Sequence, residues 1–151
     1  MRRPDALPPR RHRPQGFSLL ELIIVLAIAG VLYAIASPRY QQYVVRSNRT
    51  EGQALLVDAA ARQARYHAQN HVYVTTQADI GNLHLPRTSG NEVTSPSGLY
   101  RLDIGLGNGG YQLQAVPLGT QAADSACASL LLDGTGNPGS TGTAPVSECW
   151  K

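Results

Sequence analysis

One apolar run near the N-terminus constrains this 151-residue chain more than any other feature. Its twenty residues, 17–36, contain a single charged side chain, that of Glu21. A bilayer core about 30 Å thick is crossed by about 20 apolar residues in a helix, so the run is long enough to span a membrane. A carboxylate at the centre of such a span costs roughly 2.5–3.5 kcal/mol, and less near its ends. We therefore expect Glu21 either to reach the headgroups or to meet a positive charge from another subunit.

The sixteen residues before the run carry the positive charge of the chain. The whole chain has a formal charge of +3 and this leader has +4, which leaves −1 for the rest. Positive residues that flank an apolar span stay in the cytoplasm, so everything after residue 36 is predicted to lie outside it. The leader is excluded from the predicted fold. Its charged residues are Arg2, Arg3, Asp5, Arg10, Arg11 and Arg13.

The residues that open the run have an order that is typical of one family. The sequence GFSLLE at residues 16–21, followed by the uninterrupted apolar run, resembles the class III signal of type IV prepilins. In that family a prepilin peptidase cuts after the glycine on the cytoplasmic side and methylates the new N-terminal phenylalanine. The resemblance implies cleavage between Gly16 and Phe17 and N-methylation of Phe17. The new amine could then neutralise Glu21 during assembly.

A further resemblance covers the segments after the run. Residues 40–43, 46–56 and 58–63, with the ending ECWK at 148–151, resemble PilE-type minor pilins of the type IVa pilus system. This implies a low-abundance subunit that primes pilus assembly, enters the fibre, and serves twitching motility, adhesion and surface sensing. The implied partners are other major and minor pilins, the prepilin peptidase and an inner-membrane assembly platform. The chain would lie in the bacterial inner membrane, with its N-terminus cytoplasmic, before it enters the extracellular pilus.

Gly30 and Pro38 interrupt the helical pattern towards the end of the run. Proline removes a backbone donor and clashes with the carbonyl four residues back, so it kinks a helix or opens it locally. In type IV pilins the segment between the matching glycine and proline can lose helicity on assembly. By resemblance, residues 30–38 are the segment that would do so here.

The residues beyond Pro38 predict an amphipathic continuation of the helix, because apolar residues recur close to i, i+3, i+4 spacing. A helix from Phe17 to about Asn70 would be roughly 80 Å long, so its second half is expected to leave the membrane and pack on another layer. Gly52 within it indicates a close contact. The predicted apolar face contains Tyr40, Tyr43, Val44, Leu55, Leu56, Ala59, Ala60, Ala64 and Tyr66. The predicted solvent face contains Arg46, Arg49, Glu51, Asp58, Arg62 and Arg65.

The chain after residue 70 divides into a loop and a small sheet. Residues 71–98 are rich in glycine, proline and polar side chains and predict a loop with at most a helical turn at 76–83. Two alternating stretches around the glycine-rich residues 107–110 predict a β-hairpin, and a third strand is predicted at 127–132. The alternating residues are Tyr100, Leu102, Ile104 and Leu106, then Tyr111, Leu113 and Ala115.

Two cysteines, Cys127 and Cys149, lie in the part predicted to be outside the cytoplasm. An even pair in an oxidising compartment predicts a disulfide, and two free buried thiols are the alternative. Closing a loop of about 22 residues stabilises a fold by roughly 3 kcal/mol. The predicted fold is therefore α+β, with one long N-terminal helix packed on a small antiparallel sheet and a disulfide-bounded C-terminal loop. This is the ladle shape of pilins, with a leader at 1–16, an apolar helix at 17–38 and a globular domain at 39–151.

The sequence contains no constellation of nucleophile, base and acid, so we expect an enzyme's substrate rather than an enzyme, with no cofactor and no metal. The G-x-G-x-x-G pattern at 105–110 is followed by a predicted strand, whereas a dinucleotide site needs a helix. His67 and His71 lack a third metal ligand nearby.

Three other functions remain open. A pseudopilin of a type II secretion system is disfavoured by the cysteine pair, since that group commonly lacks the C-terminal disulfide and uses calcium. A DNA-uptake pilin needs a clustered basic face, whereas Arg87, Arg101 and Lys151 are scattered, so nucleic acid is disfavoured as a partner. An enzyme anchored by a single span is disfavoured by the missing active-site motif and by Glu21.

Overall fold

The computed structural model describes residues 17–151, without the side chains of Pro38 and Arg39. The predicted leader, with Gly16, lies outside the described residues. The chain divides into two compact units, of which the first ends at Arg39 and the second extends from Tyr40 to Lys151.

The longest element is helix α1, Leu19–Asn70, with 52 residues. Its composition favours a helix because alanine, leucine, arginine and glutamine recur along it. Glu21 in the first turn and His67 in the last turn both complement the helix dipole. The helix ends where His71 takes a left-handed conformation, with φ of 60°, and its N–H donates to the carbonyl of His67 at 2.8 Å. The predicted end of the helix at Asn70 is confirmed.

In the second unit, α1 buries a stripe of small and apolar residues that includes Leu56 and Ala59. A Cβ added at Gly52 would lie 3.1 Å from the ring of Tyr100, so the predicted close contact at this glycine is confirmed. The predicted apolar face is only partly correct. Tyr40 and Tyr43 are 69% and 71% exposed, and they belong to the part of the helix that precedes the buried stripe.

The strands that follow form two antiparallel sheets. The smaller sheet pairs two very short strands, β1 (Thr88–Ser89) and β2 (Glu92–Val93). The larger sheet has the order β3-β4-β5-β6, in which every neighbouring pair is antiparallel. Its strands are β3 (Tyr100–Gly105), β4 (Gln112–Pro117), β5 (Leu130–Asp133) and β6 (Pro138–Ser140).

The core lies between the buried stripe of α1 and one face of the larger sheet, because the strands alternate between buried and partly exposed residues. The register pairs Ile104 with Leu113 across β3 and β4, and Leu113 with Leu132 across β4 and β5. The predicted hairpin is thereby confirmed. Leu106 is the exception, since it follows the last residue of β3 and is 79% exposed.

The third strand begins later than predicted. Residues 127–129 are not extended as a strand, because Ala128 takes a left-handed conformation with φ of 48°. The structure also contains elements that the sequence did not indicate, which are β1, β2, β6 and a short helix, α2 (Val146–Cys149). The predicted helical turn at 76–83 is present as the 3-10 helix Gln77–Leu83.

Side chains cap both edges of the larger sheet. At β3, Gln77 donates from Nε2 to the carbonyl of Leu102 at 3.0 Å and accepts from the N–H of Ile104 at 2.9 Å. At β6, the Trp150 indole donates to the carbonyl of Gly139 at 2.8 Å. Capped edges do not template pairing with another chain, which is the usual hazard of an edge strand.

Candidate functional site

The first candidate region is the apolar segment that contains the start of α1, whose residues are exposed from Phe17 to Ala36. An 18-residue window within this helix has a mean hydropathy of 2.6, and none of it is buried. The helix is therefore long and apolar enough to cross a membrane. An exposed apolar surface of this extent needs a lipid or protein environment to cover it.

The described residues of the predicted signal lie at the beginning of this helix. Phe17 precedes α1 and is 86% exposed, and Glu21 is exposed in the first helical turn. Glu21 lies four positions after Phe17, which corresponds to about 6 Å along a helix axis, so an amine on Phe17 and the Glu21 carboxylate would lie about one turn apart. Gly16 and the bond predicted to be cut lie outside the described residues.

The segment predicted to lose helicity is helical in this structure. Helix α1 is continuous through Gly30 and Pro38, and a Cβ added at Gly30 would meet no atom within 4 Å. Because unwinding was expected on assembly and the structure describes one chain alone, the role of Gly30 and Pro38 stays a prediction.

The second candidate region is the loop closed by the disulfide between Cys127 and Cys149. The two Cα atoms are 5.6 Å apart, and both cysteines are buried. The predicted disulfide is thereby confirmed. The closed loop contains β5, β6 and α2, so half of the larger sheet depends on it.

A buried ion pair connects α1 to the residues just before this loop. Arg49 donates from Nε and Nη2 to the two carboxylate oxygens of Asp124, at 2.7 and 2.8 Å. Both side chains are buried, and the hydrogen bonds that Arg49 donates to the Asp124 carboxylate raise the pKa of Arg49. A two-pronged contact of this kind fixes orientation as well as distance.

The predicted position of Arg49 on the solvent face is wrong, because its side chain is buried. Arg49 lies three and seven residues before Gly52 and Leu56, so the helical period puts it on the same buried stripe. This spacing was the signal that could have identified it. The acidic partner, Asp124, was not predictable because it lies 75 residues away in the chain.

Gln121 extends the network around the ion pair. Its Nε2 donates to the carbonyl of Val45 at 3.1 Å and to the phenolic oxygen of Tyr100 at 3.0 Å. Its Oε1 accepts from the Asn48 side chain at 3.2 Å. Burial raises the pKa of Tyr100 to about 12, so its phenol stays neutral at physiological pH.

The closing end of the loop also contacts α1. Gln53 donates to the carbonyl of Cys149 at 2.8 Å, and Arg49 donates from Nη1 to the carbonyl of Glu148 at 3.3 Å. The contacts at both ends of the loop hold it in one orientation on the helix. The arrangement is a rigid protein surface, and it brings together no groups suited to acid–base or nucleophilic chemistry within residues 17–151.

Comparison with known proteins places these features in a family. The model of a prokaryotic N-terminal methylation motif matches residues 11–37. The model described as type IV minor pilin ComP, DNA uptake sequence receptor, matches residues 38–131. The type IV wide pilus major component PilA4 of Thermus thermophilus is 33% identical over 107 residues, which cover 68% of this chain and 82% of that protein. The chain is a type IV pilin.

Other relatives of this pilin match over shorter parts. The type IV major fimbrial protein FimA of Dichelobacter nodosus is 34% identical over 63% of this chain, and the pilin spans 62% of FimA. The fimbrial protein EcpC of Eikenella corrodens is 40% identical over 44% of this chain, and the pilin spans 44% of EcpC. A solved type IV pilin from Shewanella oneidensis is 22% identical, with 71% of this chain and 98% of that chain covered and a TM-score of 0.46.

Membership of this family confirms several predictions. The family and its α+β fold are those that the sequence indicated. Pilins are structural subunits that assemble with other pilins in a fibre, and they are not enzymes. The methylation motif and the exposed apolar helix fit anchoring in the inner membrane followed by residence in the pilus. The narrower resemblance to PilE-type minor pilins stays a prediction.

Proposed function

We propose that this chain is a minor type IV pilin that primes pilus assembly with other minor pilins and becomes part of the fibre. A prepilin peptidase cuts after Gly16 and methylates Phe17, and the product serves twitching motility, adhesion and surface sensing through the fibre. The observation that supports this most directly is the methylation motif at residues 11–37, joined to a helix whose apolar surface is exposed throughout.

In this proposal the physical driving force is the replacement of lipid by protein. Residues 17–38 cross the inner membrane once with the N-terminus in the cytoplasm, and residues 39–151 form the exported domain. An assembly platform, driven by a cytoplasmic ATPase, extracts subunits one at a time, and packing between apolar helices keeps their surface out of water. The segment from Gly30 to Pro38 unwinds as the helices pack.

Glu21 sets the axial position of each subunit in this mechanism. Its carboxylate pairs with the free amine of Phe17, on the same chain or on a neighbour, because neither charge is stable alone among apolar helices. A subunit placed one turn too high or too low would leave both charges unpaired. The contact is head-to-tail, and a head-to-tail contact that does not close into a ring produces a filament.

The decisive experiment is mass spectrometry of the N-terminus of this chain in sheared surface fibres. The proposal expects a chain that begins at Phe17 and carries one methyl group on its amine. Recovery of the chain only from membranes, with residues 1–16 still attached, would overturn it.

A second candidate function is DNA uptake, which one observation favours. The family model that matches residues 38–131 is described as a DNA uptake sequence receptor. The charge distribution gives it little support, because Arg49 and Arg101 are paired with Asp124 and Asp103. Phosphate contacts need free cations, and each contact adds to the salt dependence of binding.

A gel-shift titration of the full chain in detergent micelles with duplex DNA at low salt separates the two functions. A DNA-uptake pilin would shift the duplex at low salt, and its affinity for the duplex would fall steeply as the salt concentration rises. The absence of any shift at low salt would eliminate this candidate and leave the first proposal unaffected.

A further inference from the structure

A polar cavity of about 280 Å³ lies between the last turns of α1 and the end of the 3-10 helix Gln77–Leu83. Its volume is close to the lower end of the range for ligand pockets, about 300–1,000 Å³, so it suits a ligand about as large as one sugar ring. The side chains used in the argument below are Arg62, Arg65, Tyr66, Gln69, Asn82 and His84. None of them belongs to the apolar segment or to the network around Arg49.

The lining contains two guanidinium groups and no carboxylate. Arg62 is held in position by its neighbours: Nε donates to the Asp58 carboxylate at 3.1 Å, and Nη1 donates to the carbonyls of Leu83, at 3.2 Å, and His84. Its Nη2 has no hydrogen-bond partner among residues 17–151, and this nitrogen is available to a ligand. The cavity therefore presents an immobilised donor, which lowers the entropic cost of binding.

Arg65 supplies a second cation at the same cavity. It lies three residues after Arg62 on α1, so both arginines occupy one face of the helix. Arg65 is exposed and forms no ion pair within residues 17–151. Two guanidinium groups with free N–H donors favour an oxygen anion, and a planar carboxylate matches the geometry of such a fork.

The remaining walls suit a hydroxylated ring. The side-chain amides of Gln69 and Asn82 each offer both donors and an acceptor, which is the combination that sugar hydroxyls require. Tyr66 lines the cavity and is packed partly against the core, so it is an aromatic residue at the edge of the site. The ligand indicated by these groups is small, carries several hydroxyls and bears one negative charge.

We propose that this cavity binds an acidic sugar, a hexuronate unit of a surface polysaccharide. Its carboxylate lies against Arg62 and Arg65, and its hydroxyls bond to Gln69 and Asn82. A cavity of this volume favours a single sugar over duplex DNA, whose binding depends on many phosphate contacts spread along a surface. The proposal does not depend on how the chain is processed or assembled, since it concerns the isolated subunit.

The first experiment is a calorimetric titration of the full chain, in detergent micelles, with sodium glucuronate. We expect a Kd of about 1–10 mM, as befits a few hydrogen bonds to a small ligand. Glucose, which lacks the carboxylate, should bind at least about tenfold more weakly. In parallel, the backbone amide signals of Asn82 and His84 should shift during the glucuronate titration.

Two variants locate the site. Arg65→Gln removes the exposed cation and should weaken glucuronate binding about tenfold. The matched control is Arg46→Gln, which removes an exposed arginine from the same helix outside the cavity and should leave the affinity unchanged. Asn82→Ala, in the 3-10 helix Gln77–Leu83, should weaken the binding of both sugars, and it provides a second test if Arg65→Gln folds poorly.

Three results would overturn the proposal. The first is the absence of heat and of signal shifts up to about 50 mM glucuronate, a concentration that would reveal even weak binding. The second is equal affinity for glucuronate in Arg65→Gln, Asn82→Ala and the unaltered chain. The third is a shift of the Asn82 and His84 backbone amide signals by a duplex oligonucleotide at lower concentrations than the sugar requires. That result would assign the cavity to nucleic acid.

Discussion

At the scale of single residues, the charged side chain with most influence on the globular unit is Arg49. It is the only arginine of the described chain whose partner carboxylate is also fully enclosed, and it contacts both the start and the end of the disulfide-bounded loop. A buried ion pair gains little over an apolar replacement, but a single buried charge without its partner is strongly destabilising. The pair therefore specifies orientation more than it adds stability.

Replacement of Arg49 alone should destabilise the chain markedly. Arg49→Met leaves the Asp124 carboxylate buried and unpaired, and we expect a loss of about 3–5 kcal/mol in the free energy of unfolding. The double variant Arg49→Met with Asp124→Leu should recover most of that loss. Urea denaturation measures the free energy of unfolding of the single and the double variant.

The matched control uses the partly exposed pair of Arg101 and Asp103. Arg101→Met should cost less than about 1 kcal/mol, because water screens an exposed pair. Equal losses for Arg49→Met and Arg101→Met would contradict the importance assigned to burial.

Tyr100 should make the free energy of unfolding decrease at alkaline pH. Its folded pKa is about 12, above the ordinary value of 10.0, because burial disfavours the phenolate. The folded state therefore keeps its proton where the unfolded state loses it. The resulting contribution, roughly 2–3 kcal/mol, is fully present below pH 10 and is lost as pH rises through about 12.

Denaturation curves between pH 8 and about pH 12 test this dependence, since they bracket both pKa values. Tyr100→Phe should flatten the decline, although Tyr111, whose pKa is also raised by burial, still contributes to it. Tyr40→Phe is the control, because Tyr40 is largely exposed. An unchanged decline in Tyr100→Phe would refute the assignment.

At the scale of elements, the periodicity of apolar residues predicted the elements whose structure is determined by local sequence. The end of α1 at Asn70 and the hairpin of β3 and β4 followed from regular spacing and from glycine-rich turns. The elements that escaped prediction, β6 above all, have two to four residues each, and β6 consists of proline, glycine and serine. Such strands exist because a partner strand and the disulfide hold them, and a pattern along the chain does not encode that support.

The disulfide should contribute much of the stability of the loop between Cys127 and Cys149. Cys127→Ser with Cys149→Ser should lower the free energy of unfolding by about 2–4 kcal/mol, since the unfolded chain is no longer closed into a loop. Thermal denaturation with and without a reducing agent measures the effect. A reductant should lower the melting temperature of the unaltered chain and leave that of the double variant unchanged; an equal response of both would be inconsistent with this role.

At the scale of the whole molecule, the sequence predicted membership of the pilins, the exposed apolar helix and the disulfide. It did so because an apolar run with one acidic residue is a strong constraint that local sequence fully displays. It did not predict the contacts of Arg49, Gln121 and Gln53 with the loop, because these connect residues 73–99 positions apart. Long-range polar contacts depend on the folded chain as a whole.

Glu21 should be needed for assembly and dispensable for insertion. Glu21→Ala removes the one charge of the apolar run, which favours the bilayer, and also removes the proposed partner of the Phe17 amine. We expect normal amounts of the variant in membranes and strongly reduced amounts in sheared pili, measured by immunoblot. Glu92→Ala, which removes an exposed carboxylate from the globular unit, is the control. Wild-type levels of Glu21→Ala in sheared pili would disprove this role.

The capped edges of the larger sheet have a consequence for polymers built from this subunit. Gln77 and Trp150 occupy backbone groups that a neighbouring copy would otherwise use to continue the sheet. A neighbouring copy cannot continue the sheet through these groups, whereas cross-β threads are locked by unbroken backbone ladders. A polymer whose subunits share no continuous sheet can release a subunit without separating paired strands.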